Sequence, residues 1–355
     1  MSRMPLTFRT FAIDVPKLFA LTISRGTSGT TRNFFVEVSD GIHTGIGEGA
    51  PPTGLPADFC EIAPIVLAPY FEMAQTREPF EVWQAGHRAG VEAVALAALD
   101  CALWDLKAKQ ANQPLYQYLG IPKPTAITTI TIGIEPKEVV QERVPFILEL
   151  TKARALKVKL GSPAGRDHDK EIWSTAREVS AKFNVALRAD ANGGWTPEES
   201  IEMSGWLKAR DCELIEQPLV KGDEHLLTDI FPHFELPLFL DESIRNSEDV
   251  DKFADRCHGV NLKLMKSGGI SDGIKVLQRA RHHNLSTMIG SMCETEVGIA
   301  QSAALSGWCD YVDLDTHFNH NPEPGAGTEF IDGVVTPRDV PGHGGYILDE
   351  YRPQP

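Results

Sequence analysis

The sequence predicts an α/β protein: a (β/α)8-type barrel with an N-terminal α+β capping domain that the C-terminal tail completes. Three observations lead there. From residue 127 onward, eight short β-rich apolar runs alternate with amphipathic stretches. Charged residues close several of those runs and recur 22 to 31 residues apart, the length of one βα unit. Residues 1–125 lack this alternation and read as strands followed by helices.

The chain of 355 residues suits a barrel plus a cap, and its 42% hydrophobic content supplies a sizeable core. A net charge of -15 argues against nucleic acid as a partner. The six cysteines are scattered, with no C-x-x-C, so reduced buried thiols in a cytoplasmic protein are expected. Neither a signal-peptide core nor an apolar run of about 18 residues is found, so no membrane partner is expected.

In chain order, residues 4–15 and 33–49 read as strands, with a hairpin turn at Ser39-Asp40-Gly41. Residues 22–30, rich in Gly, Ser and Thr and holding Arg25, read as a mobile loop, and 51–57 as a second one. An Ala/Leu-rich helix over 90–111 is apolar on most faces, so it should lie buried between the N-terminal strands and the rest of the chain. Prolines at 114, 122 and 124 punctuate the chain, which puts a domain boundary near 120–126. The eight barrel strands are expected at 127–134, 155–160, 185–190, 213–217, 237–241, 259–264, 286–291 and 311–315. Helices fall at 168–183, 197–210, 247–257 and 271–284, the second opening on Thr196, Pro197 and Glu199 as a capping box. The barrel thus spans 126–318, and the Pro/Gly-rich tail 319–355 packs back on the cap.

Catalytic groups of such a barrel sit at the C-terminal ends of its strands. Lys157 and Lys159 fall on the second strand, Asp190, Glu216 and Asp241 on the third to fifth, Lys263 on the sixth, and Asp313 and Asp315 on the eighth. Three carboxylates on adjacent strands repel unless a cation joins them, and all-oxygen ligation suits Mg²⁺. No positive residue repeats beside all three. Lys159 and Lys263, four strands apart in a ring of eight, face each other across the mouth. A carbon between them loses a proton to one and gains it from the other, which inverts a stereocentre. A metal on the substrate carboxylate would stabilise the charge that develops there. Asp313 and Asp315, with no cation of their own, invite a substrate ammonium. The substrate then carries a carboxylate at one end and an ammonium at the other, and a dipeptide at about 3.3–3.6 Å per residue fits that span.

The motifs KVK, ADANGGW, IEQP, LDES and NLKLMKSGG, in this order, resemble the muconate-lactonizing subgroup of the enolase superfamily, and ALDCALWDL is similar to its capping-domain helix. The Asp313-Leu314-Asp315 triplet is similar to the Asp-x-Asp signature of dipeptide epimerases. That resemblance implies Mg²⁺ on Asp190, Glu216 and Asp241, acid/base catalysis by Lys159 and Lys263, support from Lys157, and a substrate ammonium on Asp313 and Asp315. The segment ISRGTSG is similar to the substrate-closing loop of Ala-Glu epimerases, which implies that Arg25 pairs with a substrate glutamate. Ser291, Met292 and Glu294, just past the seventh strand, are expected at the specificity pocket. His317 and Phe318 are expected to shape the pocket for the first residue of the dipeptide.

The function implied is Mg-dependent epimerisation at the C-terminal residue of an L,L-dipeptide, with L-Ala-L-Glu as best candidate and murein peptide recycling as its setting. A non-acidic dipeptide and an N-acylamino acid racemase or o-succinylbenzoate synthase are the alternatives; the latter pair has no need of Asp313 and Asp315. A sugar-acid dehydratase is opposed by Lys263, and a non-catalytic binding protein by the retention of every charged position. Homo-oligomers are common in the family. GIGEG at 45–49 is no dinucleotide fingerprint, and GHGG at 342–345 has no G-x-S-x-G partner.

Overall fold

The computed structural model describes residues 4–353. Its N-terminal part is an antiparallel sheet of β1 (Thr7–Ile23), β2 (Gly26–Ser39) and β3 (Thr44–Gly49), followed by α1 (Phe59–Met73), α2 (Pro79–Arg88), α3 (Ala93–Gln110) and the short α4 (Leu115–Tyr118). The expected mobile loop at 22–30 is instead the tip of the long β1–β2 hairpin, paired through Thr22–Thr27 and Ile23–Gly26, with Ser24 and Arg25 as its turn. Threonines favour strands, and the glycine takes the positive φ of the turn, so the composition that suggested a loop also serves a hairpin tip. The hairpin's register shifts between Pro16 and Leu21, so residues 17–20 bulge from the ladder.

The GIGEG stretch is β3, and its glycines let it lie against α3. A Cβ on Gly47 would fall 2.0 Å from the Ala98 carbonyl oxygen, and one on Gly45 2.2 Å from that of Ala102. On α3, Val94, Ala98 and Ala102 form the small-residue face that receives them. Buried Asp105 then accepts from the Ile46 amide at 3.0 Å and the His343 amide at 2.8 Å, joining β3, α3 and the tail. His343 donates from Nε2 to the Ile46 carbonyl at 2.8 Å and accepts the Gly345 amide at Nδ1. That is the work of the GHGG segment: the tail is clasped to the cap, as expected. On its other side α3 meets the barrel, where Asp100 accepts both the amide and the hydroxyl of Ser271.

The barrel continues the chain as β4 (Thr129–Ile132), α5 (Lys137–Thr151), β5 (Ala155–Lys159), α6 (Arg166–Ser180), β6 (Ala186–Asp190), α7 (Pro197–Lys208), β7 (Cys212–Glu216), α8 (Leu227–Ile230), β8 (Leu238–Leu240), α9 (Ser247–Phe253), β9 (Gly259–Leu262), α10 (Leu264–Ser267), α11 (Ile270–His282), β10 (Ser286–Gly290), α12 (Glu296–Ala303) and β11 (Tyr311–Asp313). The eight strands are parallel, in sequence order, and the Thr128–Val312 bridge closes the ring. All eight expected strands are present; most are shorter by one to four residues, and β7 starts one residue early, at Cys212. α7 opens on the expected capping box, with Thr196 accepting the Glu199 amide. No helix among the described residues is long and apolar enough to cross a membrane. All six cysteines are free; Cys293 and Cys309 are only half-buried, which departs from the expectation of uniformly buried thiols.

Candidate active site at the barrel mouth

Each charged strand end arrives where the alternation of a strand sends it. Lys157 and Lys159 share one face of β5, and both are buried. Asp190 and Glu216 end β6 and β7, Asp241 follows β8, and Lys263 follows β9. One oxygen from each of Asp190, Glu216 and Asp241 lies within 4.8 Å of the other two, and all three residues are buried. Burial, and then the neighbouring Asp190 carboxylate, push the Glu216 carboxyl up to about 8. An oxygen-only set of three buried carboxylates, one forced toward protonation by the others, fits a hard divalent cation such as Mg²⁺.

The premise that no cation stands beside these carboxylates needs correction. Lys159 Nζ lies 2.5 Å from Asp190, and Lys157 Nζ 3.5 Å from Glu216. Asp241 takes Lys263 at 2.8 Å and Lys266 at 2.5 Å. Lysine side chains reach across to neighbouring strands, which spacing along the sequence does not reveal. Burial lowers and Asp241 raises the Lys263 ammonium, and the carboxylates prevail, so its pKa is raised. Opposing effects act on Asp241: burial raises it, but Lys263 and Lys266 hold it well below the usual range.

A second correction concerns Asp313. Expected to lack a cation, it forms a close ion pair with Lys157 and accepts from the Thr129 hydroxyl. Asp315 accepts the Thr131 amide at 2.6 Å, and burial followed by the nearby Asp313 pushes its carboxyl up to about 6. Among the two, Asp315 is the one without a lysine partner at ion-pair distance among the described residues.

One cavity gathers Lys157, Lys159, Lys263, Ser291, Met292, Asp313 and Asp315. Lys159 and Lys263 enter it from β5 and the end of β9, four strands apart in the ring of eight and so on opposite walls. The cap supplies Lys17 and Leu21. Glu294 does not line this cavity: it is fully buried, neither carboxyl oxygen has a partner, and burial and then Glu48 push it up to about 8. Arg25 does not line it either; its guanidinium sits 2.6 Å from Glu242 and donates to the Asn192 carbonyl at 3.0 Å. His317 is buried with its ring tilted against that of Phe318, which lines an adjoining chamber.

Several site residues escaped the sequence reading. Asn261 donates to Glu216 at 2.6 Å and Lys266 grips Asp241. Asn261 lies two residues before Lys263 on the same strand face, a signal that was available. Lys17, Thr131 and Asn319 carried no such signal.

The comparisons agree with this geometry. Residues 141–351 match the enolase C-terminal domain-like family, and residues 7–120 match the mandelate racemase/muconate lactonizing enzyme N-terminal domain. The chain is 44% identical to a hydrophobic dipeptide epimerase of Roseobacter litoralis, over 94% of this chain and 97% of that protein. It is 42% identical to a hydrophobic dipeptide epimerase of a Flavobacteria bacterium, over 98% and 99%. A crystal structure of a dipeptide epimerase from Cytophaga hutchinsonii, complexed with Mg and D-Ala-L-Val, superposes with a TM-score of 0.89 at 25% identity, covering 98% of this chain and 97% of that one. Cap, barrel and relatives together make this chain an isomerase belonging to the mandelate racemase/muconate lactonizing enzyme family of the enolase superfamily.

Proposed function

We propose that the protein is a dipeptide epimerase that inverts the α-carbon of the C-terminal residue. The observation that carries this reading is the pair Lys159 and Lys263, on opposite walls of one cavity that also holds Asp315. One lysine removes the α-proton from one face and the other returns a proton to the opposite face. Asp315, backed by the Lys157–Asp313 pair, holds the substrate ammonium. Asp190, Glu216 and Asp241 would hold Mg²⁺, whose charge favours loss of a proton beside the substrate carboxylate.

The second residue is taken to be non-acidic. Arg25, which the resemblance assigned to a substrate glutamate, is already paired with Glu242. The relatives named above as hydrophobic dipeptide epimerases support the same choice over L-Ala-L-Glu. A place in murein recycling depends on Ala-Glu specificity and falls away with it.

The test is chiral chromatography of apolar L,L-dipeptides incubated with the enzyme. The L,D-epimer should accumulate to equilibrium, stop when EDTA removes the metal, and resume on adding Mg²⁺. Activity undiminished by chelation, or no L,D product from any dipeptide, refutes the reading.

A further inference from the structure

A second chamber adjoins the mouth cavity. Leu21, Thr131, Asp315 and Asn319 line both. Beyond them its walls are almost wholly apolar: Leu18 and Phe19 of the β1 bulge, Ile130 and Ile132 of β4, and Phe146 and Leu150 of α5. Three of these are large apolar side chains left open to solvent, with Leu18 40%, Phe146 49% and Leu150 62% exposed. Apolar groups of this size that converge on one hollow mark a surface built to be covered.

The roof is fixed in place. Residues 17–20 lie in the β1 bulge, and Asn319 ties that bulge to the barrel: its Oδ1 accepts the Phe19 amide at 2.9 Å and its Nδ2 donates to the Phe19 carbonyl at 2.8 Å. Besides Asp315, the charged group on the wall is Arg143, which is neutralised by Glu135 at 2.7 Å and lies 4.3 Å from the Phe19 ring centre. Away from the shared Asp315, no uncompensated charge is left to attract a polar group.

Position decides what enters. Asp315 is the wall shared by the two cavities, and under the dipeptide reading, on which this step rests, it holds the ammonium. The carbon bearing that ammonium also bears the first residue's side chain. With the reacting carbon held between Lys159 and Lys263, a side chain branching beside Asp315 has the apolar chamber next to it. We infer that this chamber takes the side chain of the N-terminal residue, so that dipeptides beginning with a large apolar residue are preferred over those beginning with alanine.

The test compares L-Leu-L-Ala, L-Ile-L-Ala and L-Ala-L-Ala with the Mg²⁺-loaded enzyme, so that the reacting residue is the same throughout. The three extra carbons sheltered in the chamber should raise kcat/KM for the Leu and Ile substrates at least about tenfold over Ala-Ala. Ala20→Phe, at an exposed chamber position of β1, should fill the space and cut kcat/KM for Leu-Ala about tenfold more than for Ala-Ala. Both rates come from one preparation, so a folding defect cancels in the ratio. Equal kcat/KM for the three substrates, or an equal loss for both in Ala20→Phe, overturns the chamber assignment and leaves the epimerase reading standing. If none of the three is epimerised, the chamber assignment fails, and the epimerase reading fails with it only if no other apolar dipeptide gives an L,D product.

Discussion

Lys159 and Lys263 each rest on a carboxylate of the cluster, Lys159 on Asp190 and Lys263 on Asp241, so their positions are fixed before substrate arrives. Replacing either by alanine should lower epimerisation by at least about 10²–10⁴-fold, the usual worth of a general acid or base. A two-base site has a further consequence: each variant should still exchange the α-hydrogen of the one enantiomer that faces its surviving lysine. Mass spectrometry of L,L and L,D substrates in D₂O reads this directly, and both variants failing on both enantiomers would remove the opposed-base geometry. At this scale the strand-end charges were legible because each stands at the end of a β-branched run. Their partners were not. The Lys157–Asp313 pair joins residues 156 apart, and Lys17 enters from the cap, so only the closed ring brings them together.

Two elements determine how the cap meets the barrel. β3 lies so close to α3 that Gly47→Ala would drive its Cβ to 2.0 Å from a helix carbonyl and 2.6 Å from the Ala102 amide nitrogen, both of them backbone atoms that cannot turn aside. The variant should lose about 3 kcal/mol or more of stability, read as a lower denaturant midpoint; a midpoint within error of the parent contradicts the close approach. On the far side of α3, burial pushes the Asp100 carboxyl up to about 7 against the pull of its Ser271 hydrogen bonds. The folded protein therefore holds this proton between about pH 4, where an unfolded aspartate ionises, and pH 7. Its contribution is complete below that window and is lost as pH rises through it, on the order of 1 kcal/mol per pH unit. Asp100→Asn should flatten that fall in a pH series of chemical melts; an unaltered slope would mean Asp100 is ionised throughout. α3 itself was legible from its Ala/Leu content, and its burial on both sides came with it. The hairpin tip was not, because Gly, Ser and Thr serve a loop and a tight turn equally, and pairing partners decide between them.

As a whole molecule the protein is one reaction chamber assembled from three stretches of chain. Under the proposed function, the barrel provides the bases, the metal-type carboxylates and the ammonium site. Lys17 and Leu21 of the cap close over them, and the tail, through His343, fastens the cap sheet to α3. The barrel half could be read from the repeat of βα units, since each repeat is a local pattern. The cover over its mouth depends on contacts between residues some 300 positions apart, such as Phe19 with Asn319, and no local pattern reports them. The central claim is that this chamber breaks and remakes one particular C–H bond. Incubation of L-Leu-L-Ala with the Mg²⁺-loaded enzyme in D₂O, followed by proton NMR, tests it most directly. The account predicts complete loss of the α-proton signal of the second residue, an intact α-proton on the first, and a mixture of L,L and L,D products; retention of the second α-proton, or deuterium on the first, would contradict it.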